Sequence, residues 1–542
     1  MKLNHLILLI ILLFGCTQRN LNQADHQVFR YNESKGITTL DPAFARSLPL
    51  IWPTHQLYNG LVQLDNSLNV KPCIASKWCI SDDGRVYTFF LRNDVRFHES
   101  VVFEGNKGRK VVANDFVFSF QRIKDPLVAS PGSWVFSMVD RRNDVGFKAI
   151  NDSVLQITLS EPFPAFLSLL SMPYCSVVPP EAIEYYGKEF RSNPVGTGPF
   201  YLKLWREGEK LVLRKNINYF EFDSTGKRLP YLDAIDISFI ADKQSEFMEF
   251  IKGNLDFLSG VHPVSKDELL TRTGVLNPKY SQTVKIITGQ YLNTEYLGIL
   301  VDTLLNEITG SPLSNIFIRR AIGYGIDREK LIMHLRNNNG YPGSFGFVPI
   351  GMPDFYKITK GFSYNPELVR ELLEEAGYPG GTGLPPITLS TTDDYVDICE
   401  FIQHQLNEFG FNIQVEVYPG AAYRDMLANS KLTFFRGSWI ADYADPENYL
   451  SLFYSKNFSP SGPNYTHFSN KEYDQLYEKS FRINDFTKRQ EIFRELDSLV
   501  IRNAIAIPIF YDKVIRFVNP SITGMTSNPM NLLNLKEVKK IN

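Results

Sequence analysis

The chain has 542 residues, 57 of them basic and 59 acidic, for a net charge of −2, and 44% are hydrophobic. That balance, with no basic stripe, argues against a nucleic-acid partner. The length allows about two to four domains with large cores. Aromatic residues reach 13%, with 27 Tyr and 40 Phe, a surplus that suits the lining of a roomy ligand cavity.

Lys2 and the apolar run from Leu6 to Phe14 read as a secretion signal, since the run is too short to span a bilayer. The run closes in Leu13-Phe14-Gly15-Cys16. A small residue directly before Cys at that point resembles the bacterial lipobox. The resemblance implies removal of residues 1–15 and a lipid-bearing Cys16, with 16–27 as a polar tether. No other segment carries enough consecutive apolar residues to span a bilayer. The mature chain is therefore expected outside the cytoplasm, anchored in the periplasm or on the outer face of the cell membrane. Of the remaining cysteines, Cys73 and Cys79 can pair or stay buried as thiols, and Cys175 and Cys399 complete the set.

Along the chain, Phe29 to Asn32 reads as a short strand, Thr39 to Pro42 as a turn, and 56–62 as a helix end running into a strand. Asp82-Asp83-Gly84 sits between two strand-like runs, a strong hairpin signal. An aromatic helix starts at Asn114-Asp115 and runs through Arg122. The glycines of Pro194-Val195-Gly196-Thr197-Gly198-Pro199-Phe200 are not a phosphate loop: Pro199 removes a donor and a strand follows. Asn365, Pro366 and Gly377 punctuate a helix as cap, first turn and left-handed stop. Strands at 387–390 and 412–417 flank a helix over 398–409, which predicts an α/β lobe. Helices over 471–481 and 487–501 lead to a strand at Ile507 to Tyr511, expected to return to the first domain.

Phe434 to Pro446 is an apolar, strand-like run carrying Arg436 and, six residues on, Asp442. At about 3.3 Å per residue the two charges can lie about 20 Å apart or less. A free peptide has the same plan, an ammonium at one end and a carboxylate at the other. An ordinary core strand ending in a turn at Asp445-Pro446 is the competing reading.

Residues 56–122 resemble the signature of family 5 extracellular solute-binding proteins. The echoes are Leu57-Tyr58-Asn59-Gly60-Leu61, Pro72 to Trp78, Asp83-Gly84, Leu91 to His98 and Ala113-Asn114-Asp115-Phe116-Val117. Glu161-Pro162-Phe163, the 194–200 landmark and Arg319 to Arg328 extend the resemblance over about 28–540. It implies a two-lobed α/β periplasmic-binding-protein fold of class II with an inserted domain, three domains in all. The expected lobe I is 28–55, 161–288 and 507–542, with 56–160 inserted as domain II and 289–506 as lobe III. It further implies capture of oligopeptides by a monomer that delivers them to an ABC permease driven by a separate ATPase subunit. Asp442 of the W-x-x-D pattern would hold the ligand's ammonium, and Arg436 would receive a carboxylate. Residues Ser438 to Ile440 and the stretch around Leu48 would pair with the ligand backbone, and Trp439 and Trp134 would wall its pockets.

No G-x-S-x-G, H-E-x-x-H, C-x-x-C or Walker A sequence occurs, so neither catalysis nor a cofactor is expected. Three rivals stay open, one of them a lipoprotein adhesin or sensor with no transporter partner. The same fold can hold a nickel chelate, haem or an oligosaccharide, which several His converging on the cleft would favour. A hydrolase would need a carboxylate pair about 5–9 Å apart across the cleft.

Overall fold

The computed structural model describes residues 27–541 except 143–144, 354, 356–358 and 484. The signal segment and Cys16 thus lie outside the described residues.

The period-two apolar runs assemble into one eleven-stranded sheet. Two long antiparallel strands, Lys285–Ile299 and Ala506–Val518, form its middle. They pair at both ends, 285–290 against 513–518 and 294–298 against 506–511, with register shifts between Gln290 and Thr294 and between Glu295 and Tyr296. The break has a local cause. The Leu292 N–H donates to the Pro529 carbonyl at 2.8 Å, while the Leu292 carbonyl accepts from the Ala441 N–H at 2.9 Å and the Tyr449 hydroxyl at 2.7 Å. Both backbone groups of Leu292 are therefore satisfied away from the Ala506–Val518 strand.

On one side of the break lie Phe257–Ser259, Val28–Asn32, Ala234–Ser238 and the hairpin of Lys210–Lys215 with Phe200–Arg206. On the other lie Phe434–Ile440, Ile387–Thr392 and Ile413–Tyr418. The last two are parallel and joined by the helix Val396–Asn407, the alternation that the sequence predicts. The result is a two-lobed α/β fold. The strand predicted at Ile507 to Tyr511 is the first half of the long Ala506–Val518 strand: it pairs with 294–298 and is buried with Leu297 and Ile318 of the second lobe, and only the second half, 513–518, continues to the other side against 285–290.

A separate antiparallel sheet holds Ala75–Ile80, Val86–Leu91, Val154–Thr158 and Phe147–Asn151 in that order. Its first hairpin turns at Gly84, whose φ of 69° only glycine adopts freely. The predicted aromatic helix is Ala113–Lys124, and its Phe120 ring lies 4.8 Å from Phe136 and 5.4 Å from Phe147. The core of this sheet is continuous with that of the first lobe: Phe89 and Phe116 share one buried cluster with Phe29 and Ile235. The helix predicted after Asn365 is Pro366–Glu375, with the Leu368 N–H donating to the Asn365 side chain at 3.1 Å. Cys73, Cys175 and Cys399 are buried and Cys79 is exposed, and all four are free thiols.

The 194–200 glycines serve contact rather than anion binding. The Gly198 N–H donates to the Leu57 carbonyl at 2.9 Å, at the end of the helix Leu48–Leu57. A Cβ on Gly198 would stand 2.4 Å from the Gln56 carbonyl oxygen and from the Leu57 carbonyl carbon. Both are backbone atoms and cannot swing aside. Gly198→Ala is therefore expected to destabilise the protein by about 1–3 kcal/mol through overpacking. Thermal unfolding checks this: an unchanged melting temperature would show that the helix end yields freely.

Candidate ligand-binding site

The strand Phe434–Ile440 pairs along its whole length with Asn293–Ile299. Its other neighbour, Ile387–Thr392, meets it at one residue pair, Ser390 with Phe435. The Arg436 carbonyl is taken by the Tyr423 hydroxyl. Beyond it, 437–440 has one paired edge and, among the described residues, no ladder partner on the other. Unpaired strand edges can accept an extended chain.

Strand alternation puts Arg436, Ser438 and Ile440 on one face. The Arg436 guanidinium is buried, donates to the Glu295 carboxylate and lies 3.1 Å from the centre of the Tyr395 ring. Ser438 Oγ donates to Asn293 Oδ1 at 3.0 Å. Asn293 Nδ2 in turn donates to Glu295 Oε1 at 3.1 Å and to Asp512 Oδ2 at 2.6 Å, and Arg336 pairs with the other oxygen of Asp512. Two carboxylates on the long strands near their register break, Glu295 and Asp512, are thus interlocked with two cations, Arg436 from the neighbouring strand and Arg336 from the helix Arg328–Arg336. Burial pushes the Asp512 carboxyl above the usual range, against the pull of Arg336. Ile440 closes this face with 47% of its surface exposed.

The strand ends at Ile440, so Asp442 stands in the turn beyond it and not on the strand. Asn448, which sequence reasoning missed, organises this turn. Its Oδ1 accepts from the Trp439 indole N–H at 3.0 Å and the Asp442 N–H at 3.1 Å, and its Nδ2 donates weakly to Asp442 Oδ2 at 3.4 Å. The neighbouring acids are consumed by structure. Asp445 is held by both ends of the Arg489 guanidinium, at 2.7 and 3.0 Å, and Glu447 accepts from the hydroxyls of Tyr443 and Tyr477. Among the described residues Asp442 has neither a cation nor a hydroxyl on its carboxylate, only the Asn448 amide. Asp442 is exposed, yet protein packs near its carboxylate. That crowding raises the Asp442 carboxyl above its ordinary value, and the Asn448 amide opposes the rise.

The first lobe faces Asp442 here. Burial, helped by the Asp442 charge and opposed by Arg46, pushes the Tyr174 hydroxyl up to about 12. Gly132 packs on the Tyr174 ring, and Trp134, 39% exposed, lies 6.1 Å from the Tyr443 ring. Trp134 therefore packs beside Tyr443, the residue that follows Asp442. Leu48 is a correction: it begins a helix, so its backbone cannot extend alongside a ligand. The residue before it, Ser47, is extended, with φ −146° and ψ 154°. Arg436 also departs from the expectation of an open cation, because Glu295 already holds it. Glu295 carried a readable signal: one acid within the apolar run Tyr291 to Leu300 needs a partner when buried.

The sequence profile of the bacterial extracellular solute-binding proteins, family 5 (middle), matches residues 69–461. The chain belongs to this family. It is 25% identical to the dipeptide-binding protein DppE of Bacillus subtilis over 95% of this chain and 92% of that one. It is also 25% identical to the periplasmic oligopeptide-binding protein OppA of Salmonella typhimurium, over 95% and 93% of the two chains. A solved oligopeptide-binding protein of Borrelia burgdorferi, OppAIV, superposes with a TM-score of 0.73 at 28% identity, covering 95% of this chain and 100% of that one. The family places the protein outside the cytoplasm as a solute-binding protein. No helix among the described residues is long and apolar enough to cross a membrane.

The raised Asp442 carboxyl has a stability consequence. A folded-state pKa above the unfolded value means that the ionised form is less welcome in the fold, so Asp442 costs stability at neutral pH and the cost fades as pH falls through the raised value. Asp442→Asn is expected to raise the melting temperature of the unliganded protein at pH 7. The gain is small, about 1 kcal/mol or less, because solvent screens the group. It should shrink toward pH 4. Melting curves of both proteins across that range decide it, and a mutant less stable at pH 7 would refute the assignment.

Proposed function

We propose that this protein captures peptides outside the cytoplasm and delivers them to an ABC permease driven by a separate ATPase. The observation that carries the reading is Asp442, a crowded carboxylate with no cationic partner, at the end of an open strand edge. An ammonium is the group that would complete it. The ligand backbone would add to the edge at 437–440, a mode of pairing indifferent to side chains. Ser438 and Ile440 line that edge, and Trp439 and Trp134 wall the adjoining pockets. The first lobe would contribute the extended residues just before Leu48. The names of DppE, OppA and OppAIV support a peptide ligand and a transport partner.

In this reading the protein is a monomer. Lobe I comprises 28–55, 161–288 and 507–542, domain II is 56–160, and lobe III is 289–506. The lobes close on the ligand about the strands that join them.

Breaking one side of a buried carboxylate–ammonium pair costs about 3–5 kcal/mol. Asp442→Ala is then expected to weaken peptide binding by about two to three orders of magnitude. N-acetylating the peptide should hurt the wild type as much and the mutant far less, since both changes remove one interaction. Calorimetry on the four combinations tests it. Equal binding of acetylated and free peptide to the wild type would overturn the amine anchor and point to a non-peptide solute.

We also propose that Cys16 carries a lipid anchor, on the strength of the Gly15-Cys16 junction closing the apolar run. Cys16→Ser should shift the protein from the membrane fraction to the soluble extracytoplasmic fraction. Unchanged fractionation, with no lipid mass on the N-terminal peptide, would remove the anchor.

A further inference from the structure

We infer that this protein reads the amino terminus of its ligand but not the carboxyl terminus: Glu295 already occupies the guanidinium of Arg436, so the peptide chain continues past that point toward a second cavity. The substrate class is peptides of four or more residues, and short peptides whose carboxyl end is blocked. The inference rests on the peptide reading above.

The geometry at Arg436 motivates it. One end of the guanidinium donates to Glu295, the ring of Tyr395 covers its face at 3.1 Å, and the side chain retains 10% exposure. Asp512 adds a second carboxylate, bound to the same Asn293 side chain that contacts Glu295. With Arg336 on Asp512, the cluster is balanced at two positive and two negative charges. A ligand carboxylate would be a third anion in a place poor in water, where like charges repel strongly.

A guanidinium in this chain can hold two acids at once. Arg109 donates to Asp115 at 2.7 and 2.9 Å and to Glu181 at 2.6 and 2.8 Å. But Arg109 is 33% exposed, and water screens that crowd. Arg436 lacks this relief. Its Nε–H has no partner, and the ring against its face limits approach from that side.

There is room beyond. Tyr395 also lines a cavity of about 670 Å³, walled by Lys266 from the first lobe and by Arg336 from the second. Four carboxylates, Asp393, Asp394, Asp397 and Glu400, share the lining with those two cations and His262. An acid-rich cavity accepts further residues of a chain without favouring a free carboxylate there.

Calorimetry with Ala-Phe-Ala and its C-terminal amide, and with the five-residue Ala-Phe-Ala-Ala-Ala pair, tests this on the wild type. The tripeptide amide is expected to bind more tightly than the acid by about threefold or more, and the five-residue acid and amide within about threefold of each other, with the longer pair tighter. A tripeptide acid bound as tightly as its amide, or more tightly, would overturn the inference, since a guanidinium free to pair with it would have offset the repulsion. Glu295→Gln should then create the missing preference, with the tripeptide acid gaining about tenfold over its amide as Arg436 is released. A folded Glu295→Gln protein without that preference would also overturn it. If the variant fails to fold, the wild-type pairs still decide. If free and N-acetylated tripeptides bind alike, the peptide reading fails and this inference falls with it.

Discussion

Two strands carry the whole molecule. Lys285–Ile299 and Ala506–Val518 are paired at both ends, and each end belongs to a different lobe. Backbone pairing makes each end rigid, while the loss of register between Gln290 and Thr294 leaves the middle without a ladder. A joint of this kind can bend without exposing apolar core, because the residues released from pairing already have other partners. Leu292 is the clearest case, since its N–H and carbonyl are satisfied by Pro529, Ala441 and Tyr449. The same break brings Glu295, Asn293 and Asp512 together, so the charge network sits where the two lobes join.

The site is built on a contrast between charges that are settled and one that is not. Arg436 with Glu295, Arg336 with Asp512 and Arg489 with Asp445 are matched pairs, each largely sheltered from water. Pairs like these add little net stability over apolar packing, but they fix geometry, because breaking one leaves a buried charge. Glu447 is settled by two tyrosine hydroxyls, and burial holds its carboxyl above the usual range. Asp442 has one weak amide contact and no cation. Three acids within six residues thus differ in what they can do because of what surrounds them.

Much of the fold was legible in local sequence. The Asn365 cap with Pro366 and Gly377 marked a helix to within two residues, and Asp83-Gly84 marked a hairpin, because caps and turns are decided by neighbours in the chain. Asp442 stood out in the sequence as a candidate through its pattern. Its partner Asn448 was not, since an amide six residues on announces nothing by itself. The pairing of Arg436 with Glu295 spans 141 residues, and Asn293 with Asp512 spans 219, distances at which only the sheet register decides who meets whom. Leu48 misled for a different reason. Its pairing role came from the resemblance, whereas locally Pro49 falls in the first turn of a helix, where a missing N–H costs nothing, and the helix continues through Pro53.

The electrostatics of Asp442 bear on how a carrier of this design would couple binding to closure. Bringing the lobes together takes water from the cleft, and an uncompensated carboxylate resists that loss. Trp134, Tyr174 and Tyr443 already crowd the same end, and the Tyr174 hydroxyl feels the Asp442 charge. On the proposed reading, closure over an empty cleft is opposed by the anion, and an ammonium reverses the sign of that contribution. An apolar solute of the same size would fill the space without supplying the charge. One carboxylate would then do two jobs, giving affinity for an amine and withholding the closed state from ligands that lack one. The balanced cluster at Arg436 has no such lever, because its charges are satisfied whether or not the cleft is filled. Discrimination would therefore be concentrated at the amino-terminal end of the cleft, and tolerance at the other.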